Sequence, residues 1–180
     1  DEILSGEVVE FFFGRMRAFY GWIFQYMPIG RSFTLALMPT PEQRLRLWER
    51  TWHLVRERRL FLVDFWNSGA ASDGCMAAGR AGGYLHVNWN GDVSPCVFAP
   101  YAAANLKDLY ARGGVLTDAW ARPFFADIRT WQREYGYRES DEPRGRCGNW
   151  LAPCLIRDHH SAFRELLARH RPHPADADAE

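Results

Sequence analysis

A chain of 180 residues is long enough for one full domain or two small ones, with a real hydrophobic core. Lys+Arg and Asp+Glu each number 22, and a zero net charge argues against a nucleic-acid surface, which needs a basic excess. The richest apolar stretch, Phe11 to Met27, is interrupted by Arg15 and Arg17, so it is not a membrane span.

Residues 5–20 (SGEVVEFFFGRMRAFY) read as an amphipathic helix ending at Gly21. Trp22 to Met27 is a short apolar run, predicted as a strand buried on both faces. A loop follows from Pro28 to Met38. Thr40-Pro41-Glu42-Gln43 then starts a helix, with Thr as N-cap, Pro in the first turn and Gln closing a capping box. Leu45, Trp48, Trp52 and Val55 form its predicted buried stripe, and Arg44, Arg46, Glu49, Arg50 and Glu57 a solvated face. Leu60 to Phe65 is a second buried strand. Strand, helix and strand make a βαβ unit with parallel strands. Two strands cannot bury both faces alone, so residues 1–70 are expected to end a larger α/β sheet or barrel.

After Asn67-Ser68-Gly69 the composition shifts to Gly, Ala and Cys, which places a domain boundary near residue 70. GGYLHVNWNGDVSPCVF (82–98) reads as a β-hairpin closed by a type I′ turn at Asn90-Gly91. That turn sets Leu85 opposite Cys96 and Trp89 opposite Asp92. Pro95 makes the returning strand an edge, or one that breaks just before Cys96. Ala102 to Ala111 fits one helical turn. Leu116 to Tyr135 is a helix interrupted near Pro123, and 138–148 a polar loop. Asp158 is expected to cap a last helix that turns Phe163, Leu166 and Leu167 inward. Residues 171–180 are expected to be a disordered tail.

Four Cys in an otherwise ordinary globular composition suit a cytosolic metal or redox site better than a secreted disulfide scaffold. No signal peptide is visible, and the chain opens on Asp1 without methionine, so a fragment of a longer, cytoplasmic protein is expected. Thiolates at Cys75, Cys96, Cys154 and Cys147 suit zinc or an iron–sulfur cluster. Structural zinc sites usually use paired C-x2-4-C knuckles, and the sequence contains none. Dispersed cysteines are compatible with a bulkier cluster, and also with isolated core thiols.

The segments GWIFQYMPIGR (21–31), LVDFWNSG (62–69), GCMAAGR (74–80), YLHVNWNGDVSPCVF (84–98), PFFADIR (123–129) and NWLAPCLI (149–156) resemble one group of radical S-adenosylmethionine (SAM) proteins. These carry a C-terminal auxiliary-cluster region of the SPASM/twitch type. The resemblance runs over residues 18–168; G-C-x-A-A-G-R and N-G-D-V-x-P-C are its most specific pieces. It implies an α/β chain in three parts. Residues 1–70 would be the terminal βαβ of a partial TIM-like radical SAM barrel. Residues 71–170 would be a small α+β cluster-binding domain with the β-hairpin, and 171–180 the tail. Cys75, Cys96 and Cys154 fall on ligand positions of an auxiliary [4Fe–4S] cluster. Cys147 matches no motif position and enters as fourth ligand through its nearness to Cys154. Pro100 stands where the pattern has a His, and Ala81 to Gly83 is expanded by two residues.

The resemblance also implies a complete enzyme that binds SAM on a second [4Fe–4S] cluster, takes electrons from a donor and acts on a peptide or small-molecule substrate. The C-x3-C-x2-C motif of that second cluster is absent from these 180 residues, so this chain alone is not expected to cleave SAM. Gln25, Tyr26, Arg31 and Asp64 lie at strand ends, where a barrel faces SAM and substrate. Packing alone would also account for them. Arg80 reads as a hydrogen-bond donor towards the cluster or as a plain salt bridge, and His86 as a structural His. His159 and His160 read as exposed. A zinc-stabilised interaction domain is the alternative reading, and a metal-free remnant the third.

Overall fold

The computed structural model describes residues 2–30, 32–67, 69, 74–136 and 148–175. Helix α1 (Gly6–Val9) is capped by Ser5, whose hydroxyl accepts from the Val8 N–H at 3.3 Å. It continues as a π-helical turn over Glu10–Arg15 and stops short of the expected Tyr20, because Arg17 takes a left-handed φ of 52°. Strand β1 (Gly21–Ile23), helix α2 (Pro41–Glu57) and strand β2 (Leu62–Asp64) follow. The capping box forms as predicted: Thr40 Oγ1 accepts from Gln43 N, and Gln43 Oε1 from Thr40 N. β1 and β2 pair in parallel, with Gly21 opposite Leu62 and Ile23 opposite Asp64, which completes the βαβ unit.

Leu4, Val9, Ile23, Leu54 and Leu62 form the core of this unit, with Leu47, Val55 and Leu60 packed against it. The stripe of α2 is therefore rotated from the expected one. Thr51 and Leu54 are buried, whereas Leu45 is exposed and Trp48 and Trp52 lie half in solvent. Trp52 instead carries the Arg56 guanidinium, 4.9 Å from its ring. The sheet is not buried on both faces either. Ile23, Gln25 and Met27 are buried, but Trp22 and Phe24 are 58% and 55% exposed, because α2 covers one side only. Arg44 and Arg50 are not simply solvated: Arg50 Nε donates to Leu4 O at 3.1 Å, and Arg44 reaches Asp158. Among the described residues β1 and β2 pair only with each other, so the architecture is mixed α/β with small sheets and no closed barrel.

The hairpin forms, slipped by one residue. β3 (His86–Val87) pairs with β4 (Asp92–Ser94), His86 opposite Ser94 and Val87 opposite Val93, in place of Leu85–Cys96 and Trp89–Asp92. The loop decides this. Asn88 N donates to Asp92 O at 3.1 Å, and Gly91 has a positive φ of 92° while Asn90 does not. Trp89, Asn90 and Gly91 thus make a three-residue loop rather than a type I′ turn. The Asn88 side chain holds it, accepting from Asp92 N at 2.9 Å. The slip leaves Val93 fully buried and Trp89 at the exposed tip.

β5 (Tyr101–Ala102) comes next, and then β6 (Ala104–Asn105), an unforeseen strand that pairs with β4. β4 is therefore central, and it ends at Ser94 because Pro95 has no N–H for the ladder. Asn105 caps α3 (Leu106–Ala111). α4 (Leu116–Trp120) and α5 (Pro123–Glu134) split at Pro123 as expected. α6 (Leu155–Asp158) and α7 (His160–His170) complete the helices. Asp158 does not cap α7; it ends α6, and His159 precedes α7 without a side-chain cap. β7 (His173–Pro174) pairs with β5, so the expected tail is part of a sheet as far as Pro174. The expected boundary at residue 70, the loop residues 138–147 and residues 176–180 lie outside the described residues. Val93, Phe124, Phe125, Ile128, Leu155 and Phe163 centre the second core. Among the described residues no helix is long and apolar enough to cross a membrane.

Candidate metal centre

Three cysteines from three separate segments meet at one apolar cavity of about 260 Å³. Cys96 belongs to the core around Phe125 and Val93, Cys75 packs against that core, and Cys154 packs with Met27 and Trp66. Trp22, Phe65, Trp66 and Phe98 add aromatic walls, so the βαβ unit closes one side of the cavity.

The Cys75 segment is shaped by its own backbone and by α5. Ala78 N donates to Pro95 O at 2.8 Å, which fixes this loop to the strand that presents Cys96. Gly83 closes the turn after Arg80, its N–H donating to Arg80 O at 2.8 Å; a Cβ there would lie 2.3 Å from Met76 O. Arg80, buried, donates from Nε to Cys75 O at 2.6 Å, so it holds the loop from within. Gln132 Nε2 donates to Cys75 O at 3.2 Å and Ala77 O at 3.1 Å. Arg129 Nη1 donates to Ala78 O at 2.8 Å while its guanidinium stacks 4.0 Å from the Trp120 ring. Neither Arg129 nor Gln132 was singled out in the sequence. The available signal was helical spacing, since Gln132 continues the face of Phe125 and Ile128.

Cys96 follows Pro95 directly and is buried. Cys154 is the N-cap of α6: its sulfur accepts from Arg157 N at 3.4 Å, and its own N–H donates to Asp158 Oδ2 at 3.0 Å. Backbone N–H groups converge on the other sulfurs too, from Ala77 and Leu155 on Cys75 and from Phe98 and Ala99 on Cys96. Burial nevertheless pushes all three thiols up, Cys154 to about 12, and each thiolate would repel the others. Burial, aided by the same charges, pushes Tyr84 up to about 12.

Such a donor set is poised for a cationic group. Amide N–H groups solvate sulfur charge; without metal, burial keeps the three sulfurs as neutral thiols, and a bound cation would favour their ionised form. Among the described residues no group of three or more His, Cys, Asp or Glu is already placed to hold a metal ion. None of Cys75, Cys96 and Cys154 is in a disulfide. Cys147 and Arg31 lie outside the described residues.

The strand-end candidates separate. Gln25 and Asp64 come together, Gln25 Nε2 donating to Asp64 Oδ1 at 3.0 Å and Oδ2 at 3.2 Å. Asn67 Nδ2 adds a bond to Asp64 at 2.6 Å. Burial outweighs these bonds and raises the Asp64 carboxyl above its usual range. Tyr26 turns away, its hydroxyl accepting from Thr34 N at 3.1 Å. His86 is structural, with Nδ1 3.1 Å from Ser94 Oγ. His159 is not exposed: Nε2 lies 2.9 Å from Ala152 O, and its ring packs on Tyr135 because this turn folds back over α5.

Fold and sulfurs together define a small cysteine-lined cluster-binding region. Residues 75–149 match the family model of SPASM, an iron-sulfur cluster-binding domain, so this part of the chain is a SPASM-type region of the kind radical SAM proteins carry. The match starts on Cys75 and contains Cys96 and Cys147; Cys154 lies just beyond it. Searches of curated proteins and of solved structures found no match.

Proposed function

We propose that this chain binds an auxiliary [4Fe–4S] cluster through Cys75, Cys96 and Cys154, with Cys147 as candidate fourth ligand, and serves a radical SAM oxidoreductase or maturase. The observation that carries this reading is the convergence on one cavity of three thiols, Cys96 and Cys154 buried and Cys75 partly so, each met by backbone N–H groups. A bound cluster would supply one-electron chemistry, or an open iron for substrate. The chain's own residues do the rest. Pro95 and the Ala78–Pro95 bond fix two of the sulfurs relative to one another. The aromatic wall of Phe65, Trp66 and Phe98 keeps water from the sulfurs.

The parallel β1–β2 pair with its crossover helix supports reading residues 1–70 as the last βαβ of a radical SAM barrel. On that reading Gln25 and Asp64 face SAM and substrate from the strand ends, and the SAM-cleaving cluster belongs to a part of the protein outside these 180 residues. The substrate is a peptide or small molecule. Anaerobic reconstitution with iron and sulfide tests the proposal. A brown protein with equimolar iron and sulfide is expected. A colourless protein holding one zinc would replace it with the structural reading.

A further inference from the structure

Arg157 is a charged residue in an apolar place. Its side chain is 3% exposed, three positions after Cys154. The guanidinium forks onto Asp158, Nε to Oδ1 at 3.0 Å and Nη2 to Oδ2 at 3.3 Å. Nη1 donates to Gln25 Oε1 at 3.4 Å, and the plane lies 4.9 Å from the Trp66 ring, which itself walls the cysteine cavity. Gln25 is anchored in turn by Asp64, and Trp66 Nε1 donates to Gln25 O at 2.9 Å. Asp158 is shared with Arg44 at 2.9 Å, and it also accepts the Cys154 N–H. A single hydrogen-bonded assembly therefore joins the ends of β1 and β2 to the turn that carries one sulfur.

We infer that Arg157 is a positioning residue for the cluster's electrostatics, a buried cation that, balanced by Asp158, sets the reduction potential at the Cys154 side. The inference rests on the cluster reading above. Reduction adds one electron, and so one negative charge, to an already anionic group; in a low-dielectric wall a fixed cation favours that charge and a fixed carboxylate opposes it. Both residues touch Cys154: Asp158 Oδ2 accepts its N–H at 3.0 Å, and Arg157 N donates to its sulfur at 3.4 Å. Removing Arg157 should therefore lower the potential, and neutralising Asp158 should raise it.

The test is a redox titration of the reconstituted full chain, followed by electron paramagnetic resonance, in Arg157→Gln, Arg157→Lys and Asp158→Asn, with iron counted in each. The expected result is a downward shift in Arg157→Gln, a potential near the parent's in Arg157→Lys, and an upward shift in Asp158→Asn. Lysine keeps the charge but loses the fork, so a purely structural role would make Lys behave like Gln. That outcome, or an unchanged potential in Arg157→Gln at full iron content, overturns the inference. If Arg157→Gln holds no iron, Asp158→Asn decides, and any shift other than upward overturns it. A parent protein that takes up no iron defeats the cluster reading itself, and the inference with it.

Discussion

The guanidinium of Arg44 on α2 lies 2.9 Å from the carboxylate of Asp158, 114 residues further along the chain. A second Arg44 nitrogen donates to Leu151 O, and Nε reaches Asn67 Oδ1 at 3.4 Å. Helix α2 of the βαβ unit is thereby pinned to the segment that leads into Cys154. Arg44→Met keeps the aliphatic stem and removes these donors. It is expected to destabilise the chain by about 1.5–3 kcal/mol, the range for hydrogen bonds to charged groups. Cluster retention should fall as well. Chemical denaturation and iron content measure both, and unchanged values would mean the two halves are joined by apolar packing alone.

Gly91 tests the hairpin. Its φ of 92° is strained for any other residue, and a Cβ there would meet Asn105 Oδ1 at 3.2 Å and Lys107 Cγ at 3.3 Å. Gly91→Val is expected to cost about 1–3 kcal/mol and to shift β4, which delivers Cys96. Lower iron occupancy is expected although no ligand is touched. Iron content equal to the parent's would show that Pro95 and the Ala78–Pro95 bond position Cys96 without help from the turn.

Particular residues show how far the sequence could be read. The capping box at Thr40 and Gln43, the parallel βαβ and the break at Pro123 were legible because each follows from interactions within a few residues. The three cysteines stood out through the wording around them, and they converge. The hairpin register was missed because Asn90-Gly91 suggests a two-residue turn, whereas the Asn88 side chain enlarges the loop. Arg44, Arg129, Gln132 and Arg157 were missed for a more general reason. A polar residue on an amphipathic helix looks the same whether it meets water or a buried carbonyl, and each of these has a partner far along the chain.

The thiols give the chain without metal a defined response to alkali. Burial raises each folded thiol above the usual 9.0, Cys154 to about 12. For groups raised on folding, the stabilising contribution is complete below the unfolded value and is lost as pH climbs towards the folded one. The metal-free chain should therefore lose stability between pH 9 and 12 through these groups, and Cys96→Ala should flatten that fall. Denaturant midpoints across that window measure it. A Cys96→Ala curve parallel to the parent's would place the alkaline loss elsewhere.

The open face of the small sheet predicts self-association. Phe19, Trp22 and Phe61 are 82%, 58% and 57% exposed, and Phe19 and Phe61 touch edge to face with centroids 6.1 Å apart. Leu62, by contrast, is buried against the helices and takes no part. A contiguous aromatic patch of this kind is a contact surface or an aggregation site. The chain is expected to run as oligomers in light scattering, and Phe19→Glu with Phe61→Lys to raise the monomer fraction at unchanged iron content. A parent chain that is monomeric at high concentration would show that the face tolerates water.

The ligand set is the most direct prediction. Cys75, Cys96 and Cys154 line one cavity, so Ala at any of them removes a thiolate that water replaces poorly. Each variant should lose most of its iron. Cys96 is part of the second core and Cys75 packs against it, so near-parent far-ultraviolet circular dichroism is the control that separates loss of a ligand from loss of the fold. Ala at Cys154 carries a further consequence, since α6 loses the sulfur that accepts from Arg157 N. Its helical turn should loosen, and with it the grip of Asp158 on Arg44. Cys147→Ala then decides the fourth position. Loss of the electron paramagnetic resonance signal makes Cys147 a ligand. An intact signal leaves three cysteines and one iron open to water, another side chain or substrate, and added substrate should then change the spectrum directly. Full iron retention in Cys75→Ala, Cys96→Ala and Cys154→Ala alike would mean that the cavity is not where the metal sits.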